Sequence, residues 1–188
     1  MKRLDPRAAL VLDTRELGRR PGAQHVLMLT EPAPPDLGID VLGVPAGSPI
    51  DLDLRLEAVM EGVLVSGTAT VVLAGECTRC LGRIERSETV ELQELFVYDD
   101  DDVDEETHRL VGDLLDLEPV LRDAVVLAMP FNPLCSPDCP GLCPECGARL
   151  AEDPQHAHDE AIDPRWAALQ GLSPEAEPRP GNTGRSGG

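Results

Sequence analysis

The sequence predicts an α+β protein: an antiparallel sheet packed by one main helix and followed by a cysteine-rich zinc knuckle. Three observations predict it. Apolar and polar residues alternate strictly over Ile50–Glu57, and two more alternating runs follow. Between Leu117 and Met129 the apolar positions recur at helical spacing. Four cysteines crowd the 12 positions from Cys135 to Cys146. A chain of 188 residues that is 41% hydrophobic can bury one core. We therefore expect a single domain over 1–172. The tail 173–188, rich in Pro and Gly and poor in apolar residues, is expected to be disordered. With 2% aromatic residues, the core must be aliphatic.

Residues 1–49 are rich in turn formers, and Pro32, Pro34, Pro35, Pro45 and Pro49 break any long helix. Leu10–Leu12 and Val26–Leu29 read as short strands. Between them, DTRELGRRPG offers Asp13 or Thr14 as the cap of one helical turn and Gly18 as its end. Ile50, Leu52, Leu54 and Leu56 alternate with Asp51, Asp53, Arg55 and Glu57, the pattern of a half-buried antiparallel strand. GVLVSGTATVVLAG from Gly62 is a second strand, Cys77–Gly82 a tight turn, and Arg83–Val97 a third strand. Three neighbouring strands with short links make a meander, either a curved sheet or a small barrel. Seven of the eight residues 99–106 are acidic; they read as a solvated loop, without the central glycine and ligand spacing of a calcium loop. In the helix Leu117–Met129, Glu118 and Pro119 suit the first turn and Pro130 ends it. Val120, Leu121, Ala124, Val125, Leu127 and Ala128 make its apolar face. A second, short helix is expected over 164–169, with Trp166 docking on the body.

Sixteen basic against 35 acidic side chains leave a net charge of −19. Such a molecule repels phosphate as a whole, so it is no general nucleic-acid binder; it suits a basic partner or plain solubility. The first 20 residues run against that average, with six basic and three acidic side chains. The N-terminus does not read as a secretory signal, and no run of 18 apolar residues occurs. A cytoplasmic location follows as an expectation, and in a reducing compartment metal binding outweighs disulfides.

All six cysteines fall in close-set groups. Cys135, Cys139, Cys143 and Cys146 can close on one Zn(II) within a single loop, held by the bends at Pro137, Pro140 and Gly141. In a second arrangement Cys77 and Cys80 share the ion with Cys143 and Cys146, as in a zinc ribbon whose halves lie 63 residues apart. In a third no stable metal binds and the thiols are structural or redox-active. A closed four-thiolate site has no open position, which makes it structural and not catalytic. On the first reading Cys77 and Cys80 stay a separate pair, with Arg79 and Arg83 beside it to favour thiolates. His156 and His158 could make a mixed site, but among Asp153, Asp159 and Glu160 they read as solvated. No Ser/His/Asp elbow, Gly-rich phosphate loop or HExxH occurs, and nothing in the motifs argues for an enzyme or a small-molecule substrate.

Taken in order, DTRELGRRPG (13–22), GECTRCLGRIE (75–85), GDLLDLEPVLRDAVVLAMPFNPLC (112–135), CSPDCPGLCPECGARL and IDPRWAAL (162–169) resemble the YceD family, in its form with a C-terminal cysteine cluster. The resemblance spans about Val11 to Leu169. It implies an α+β body, a cytoplasmic protein, and a role in the accumulation of large-subunit ribosomal RNA. It brings no catalytic residues. Because some members keep only the CxRC pair, it also implies that Cys77 and Cys80 mark the shared chemistry. Two modes of action follow as expectations. The chain binds precursor rRNA through arginines such as Arg15, Arg19, Arg20, Arg79 and Arg83, or its acidic surface holds a basic ribosomal protein or assembly factor. The alternative from another class is a thiol-disulfide or metal-handling protein working through Cys77 and Cys80.

Overall fold

The computed structural model describes residues 4–98, 107–158 and 165. The acidic loop 99–106, Trp166, the helix expected over 164–169 (apart from Arg165) and the tail 173–188 lie outside the described residues. The chain divides into two compact units, Met1–Glu152 and Asp153–Gly188. Every strand and the helix named below belong to the first.

The alternating segments form strands because period-two patterning puts every apolar side chain on one face. Strand β5 (Pro49–Ala58) buries Ile50, Leu52, Leu54, Leu56 and Ala58 and turns its acids outward. Strand β6 (Gly62–Glu76) runs back beside it, pairing Asp51–Ala58 with Val63–Thr70. Strand β7 (Arg83–Val97) then follows β6 along its whole length, from Glu76 opposite Arg83 to Gly62 opposite Val97. Strand β2 (Gln24–Pro32) adds to the far side of β5. Two strands that the alternation does not announce, β3 (Leu37–Ile39) and β4 (Leu42–Val44), form a small hairpin on the upper part of β6. At three residues each they are too short to show a period. Strands β1 (Val11–Asp13) and β8 (Leu114–Asp116) pair separately as a two-stranded sheet. Among the described residues no pairing closes the main sheet on itself, so of the two expected forms it is the open one.

Gly67 is one of the points of closest approach in the sheet. Its φ is +151°, and a Cβ built there would lie 2.0 Å from the Asp53 carbonyl oxygen. It keeps the parity of Val65 and Ala69 but supplies no side chain, so β5 and β6 meet backbone to backbone.

Helix α1 (Glu118–Ala128) packs on β7 and β3, burying Val120, Leu121 and Val125. Leu127, expected on the apolar face, is 84% exposed instead. Arg122 anchors the helix from the other side, donating to the carbonyls of Pro35 and Asp36 and pairing with Glu118 one turn earlier. The C-cap residue Met129 is extended, as a residue before proline must be. DTRELGRRPG makes successive turns in place of the expected helical turn: Leu17 N–H donates to Thr14 O and Gly18 N–H to Arg15 O. Thr14 is buried and donates its hydroxyl to Asp113 O at 2.9 Å, which ties this segment to β8.

The core is aliphatic, as the composition requires, with Phe96 the one aromatic ring among its fully buried side chains. Leu121 is fully buried where α1 meets the sheet. Leu121→Ala should cost about 3 kcal/mol by transfer and cavity terms together, seen as a lower urea midpoint with an unchanged m-value.

Candidate metal centre

Three short segments build the centre. The β6–β7 turn carries Cys77 and Cys80. It is closed by Cys77 N–H to Gly82 O (2.8 Å) and Leu81 N–H to Cys77 O (2.9 Å), with Leu81 at a positive φ of 55°. The stretch after α1 carries Cys135 and Cys139; it runs through bends and closes a turn where Cys139 N–H donates to Ser136 O. Cross-links seat one segment on the other. Thr78 donates its N–H to Pro133 O at 3.0 Å, and Arg79 donates to Cys139 O at 3.0 Å. Gly141 (φ +83°) passes the backbone of Arg79 so closely that a Cβ would sit 3.2 Å from its carbonyl oxygen.

This docking gathers Cys77, Cys80, Cys135 and Cys139, with all four sulfurs within 4.8 Å of one another. Cys77 and Cys139 sulfurs are 3.8 Å apart, and those of Cys80 and Cys135 are 3.6 Å apart. Four sulfurs at ~2.3 Å from a tetrahedral ion must be separated by about 3.8 Å, so the set fits one Zn(II)-sized ion with little movement. No disulfide joins the cysteines. Cys77, Cys80 and Cys139 are buried, while Cys135 is exposed and opens on a groove of about 540 Å³ bordered by Arg83, Arg86 and Ser136. This group can bind a metal ion.

The electrostatics suit thiolate ligation. Burial pushes the Cys77 thiol up. Backbone N–H groups of Cys135, Cys80 and Arg79, with the Cys80 thiol, outweigh it and bring Cys77 down to about 6. The thiols of Cys139 and Cys80, and then burial, push Cys135 up to about 12. Burial is also the main reason that Cys139 is raised. Near neutral pH, then, Cys77 is ready as a thiolate while Cys135 and Cys139 must lose protons to bind. Metal uptake should release protons, and affinity should fall as the pH is lowered. Calorimetry in buffers of different ionisation enthalpy measures that release.

The expected set of Cys135, Cys139, Cys143 and Cys146 is therefore distributed differently. Cys135 and Cys139 face Cys77 and Cys80, and the centre contains neither Cys143 nor Cys146. Those two occupy the next knuckle, where Cys143 N–H donates to Ala148 O at 2.8 Å and Gly147 N–H to Cys143 O at 2.9 Å. The physical reason is the seating of the hairpin turn, which fills the space beside Cys135 and Cys139. The zinc-ribbon arrangement, Cys77 and Cys80 with Cys143 and Cys146, has the first pair facing a distant pair, but here the facing pair is Cys135 and Cys139. In the second unit, the His156 and His158 ring nitrogens lie 2.9 Å apart and Asp153 stands 3.8 Å from His156. The sequence held one usable signal, the polar tie residues Thr78 and Arg79 placed between the first two cysteines, but their partners are invisible without the fold.

The arginines expected to contact RNA do not converge. Arg15 pairs with Asp13, and Arg19 lies over the Tyr98 ring at 4.7 Å, just beyond the end of β7. Arg20 shares that turn segment. Arg79 serves the metal centre and Arg83 pairs with Glu85 at the opposite end of β7. Fourteen residue steps of extended strand separate the two ends, on the order of 45 Å. Among the described residues no helix is long and apolar enough to cross a membrane.

Comparison with known proteins adds the following. The model of the family described as "Large ribosomal RNA subunit accumulation protein YceD" matches residues 65–173, which include all six cysteines. An uncharacterized protein of Mycobacterium tuberculosis (strain H37Rv) is 47% identical over 174 residues, 89% of this chain and 84% of the relative. One of Mycobacterium leprae is 43% identical over 165 residues, 85% and 76% of the two chains. The uncharacterized protein YlbN of Bacillus subtilis is 25% identical over 128 residues, 66% of this chain and 74% of that one. No solved structure matches significantly.

Proposed function

Because the chain belongs to the YceD family, we propose that it is a non-enzymatic cytoplasmic factor of ribosome assembly. It supports accumulation of large-subunit rRNA by binding a basic protein of the large subunit. One observation carries the mode of action: a net charge of −19 with the candidate RNA-binding arginines divided between two ends of the sheet. Such a surface attracts a cationic protein and offers no continuous track for a phosphate backbone. The thiolate centre is structural in this reading. Zn(II), bound by Cys77, Cys80, Cys135 and Cys139, would supply a fixed crosslink between the hairpin tip and the chain leaving α1.

Precursor rRNA is the second reading, favoured by Phe131. It is 90% exposed, and its neighbours Pro130 and Asn132 line the groove shared with Arg83 and Arg86. An exposed ring whose chain neighbours share a groove with arginines offers a surface for base stacking.

Binding assays with the zinc-loaded full chain separate the two. A salt-sensitive complex with basic large-subunit proteins and none with precursor rRNA fragments is expected. RNA binding that Phe131→Ala abolishes would install the second reading. In cells, deletion should lower large-subunit rRNA, and the double change Cys77→Ser, Cys80→Ser should reproduce the loss. Unchanged rRNA in the deletion strain would refute both readings.

A further inference from the structure

Strand β2 is bonded along one edge only. Its nine residues pair with β5, and among the described residues no backbone group takes the other edge. Sheet edges usually carry lysine, proline or a bulge that prevents further pairing. The strand's one proline, Pro32, is its last residue; residues 24–31 contain no lysine, arginine or proline, and pair without a bulge. Val26 and Met28 are 61% and 78% exposed. The edge is left competent for another strand.

An open groove flanks this edge on each face of the sheet. On one face Met28, Thr30, Asp51, Asp53, Thr68 and Thr70 border about 420 Å³. On the other, Leu12, Leu27 and Leu29 form the floor and Asp13, Glu16 and Glu31 the rim of about 630 Å³. Both grooves thus join aliphatic surface to carboxylates. Arg15, the one arginine bordering either groove, is already paired with Asp13. A strand added at β2 would send its side chains alternately into the two grooves.

We infer that the β2 edge is a docking site for an extended, basic segment of a partner protein, added as a further antiparallel or parallel strand. Main-chain hydrogen bonds to β2 hold the segment, its aliphatic side chains cover Leu27, Leu29 and Met28, and its lysines or arginines meet Asp51, Asp53, Glu16 and Glu31. A second copy of this chain would bring another net charge of −19 to the same place, and RNA would meet carboxylates on both faces. The inference rests on the ribosome-assembly reading for the kind of protein that carries the segment, and on the geometry alone for the site.

The test uses the zinc-loaded full chain and the nine-residue peptide Lys-Lys-Val-Val-Lys-Lys-Val-Val-Lys, which presents both lysine and valine to each face. Binding should slow hydrogen exchange of the β2 amides that face away from β5. The double change Glu31→Lys, Asp51→Lys, on exposed or half-buried positions, should weaken binding at least tenfold while zinc content and circular dichroism stay unchanged. The inference is overturned by equal affinity for a glutamate–valine peptide, by protection elsewhere, by binding of a single-stranded RNA at this edge, or by self-association that Met28→Lys removes. Peptide failure alongside rRNA loss on deletion strikes this site alone. Normal rRNA in the deletion strain with peptide binding intact strikes the ribosomal reading and leaves the edge.

Discussion

Cys77→Ser is expected to release zinc from the centre and lower the thermal midpoint by on the order of 10 °C, whereas Cys143→Ser leaves that ion in place. The magnitude follows from linkage. At free zinc a thousandfold above its dissociation constant, the ion stabilises the fold by about 4 kcal/mol. Each kcal/mol shifts the midpoint of a chain this size by ~2–4 °C. The sheet and α1 should survive the loss, because their cores are continuous without the sulfurs. Alkylation mapped by mass spectrometry gives the ligand set directly. In Cys143→Ser, Cys77, Cys80, Cys135 and Cys139 should stay protected together and become reactive together when a chelator is added. Reactive Cys135 and Cys139 beside protected Cys77 and Cys80 would refute the assignment.

The second large effect belongs to Gly67. Any Cβ there meets the Asp53 carbonyl at 2.0 Å, and that atom belongs to a paired strand that cannot yield alone. The left-handed φ adds its own cost for any L side chain. Overpacking and strain together put Gly67→Val at about 3–5 kcal/mol, enough to leave much of the protein unfolded. Gly47→Ala is the control. Its φ is also positive, at +77°, but nothing lies within 4 Å, so about 1 kcal/mol should suffice. Denaturant titrations of the two variants should differ by at least 2 kcal/mol. Equal losses would mean that backbone strain, and not the clash with β5, decides the effect.

Some of these features are legible in the chain and some are not. Strands β5, β6 and β7 and helix α1 can be read from period, because each spans enough residues for a one-sided apolar pattern to emerge. The hairpin β3–β4 cannot, since Leu37–Ile39 and Leu42–Val44 are held by neighbours and not by a pattern of their own. Leu127 fits the helical stripe yet faces outward, because α1 buries Val120, Leu121 and Val125, with Ala124 partly packed beside them. Arginines clustered in composition prove to be distant in space, since a 15-residue strand carries Arg83 away from the turn that holds Arg19.

By itself the sequence determined the fold class, the aliphatic core, the acidic surface and the presence of thiol chemistry. Each of these is a property of residue type and short-range spacing, which hydrophobic burial and backbone geometry read locally. Which thiols meet was decided only in three dimensions. Cys80 and Cys135 are 55 residues apart, and their sulfurs come to 3.6 Å because the tip of one hairpin docks on the chain leaving a helix. Cysteine spacing limits which pairs can chelate from one turn; only the packing of α1 against β7 and β3, and the ties from Thr78 and Arg79, choose the partner turn.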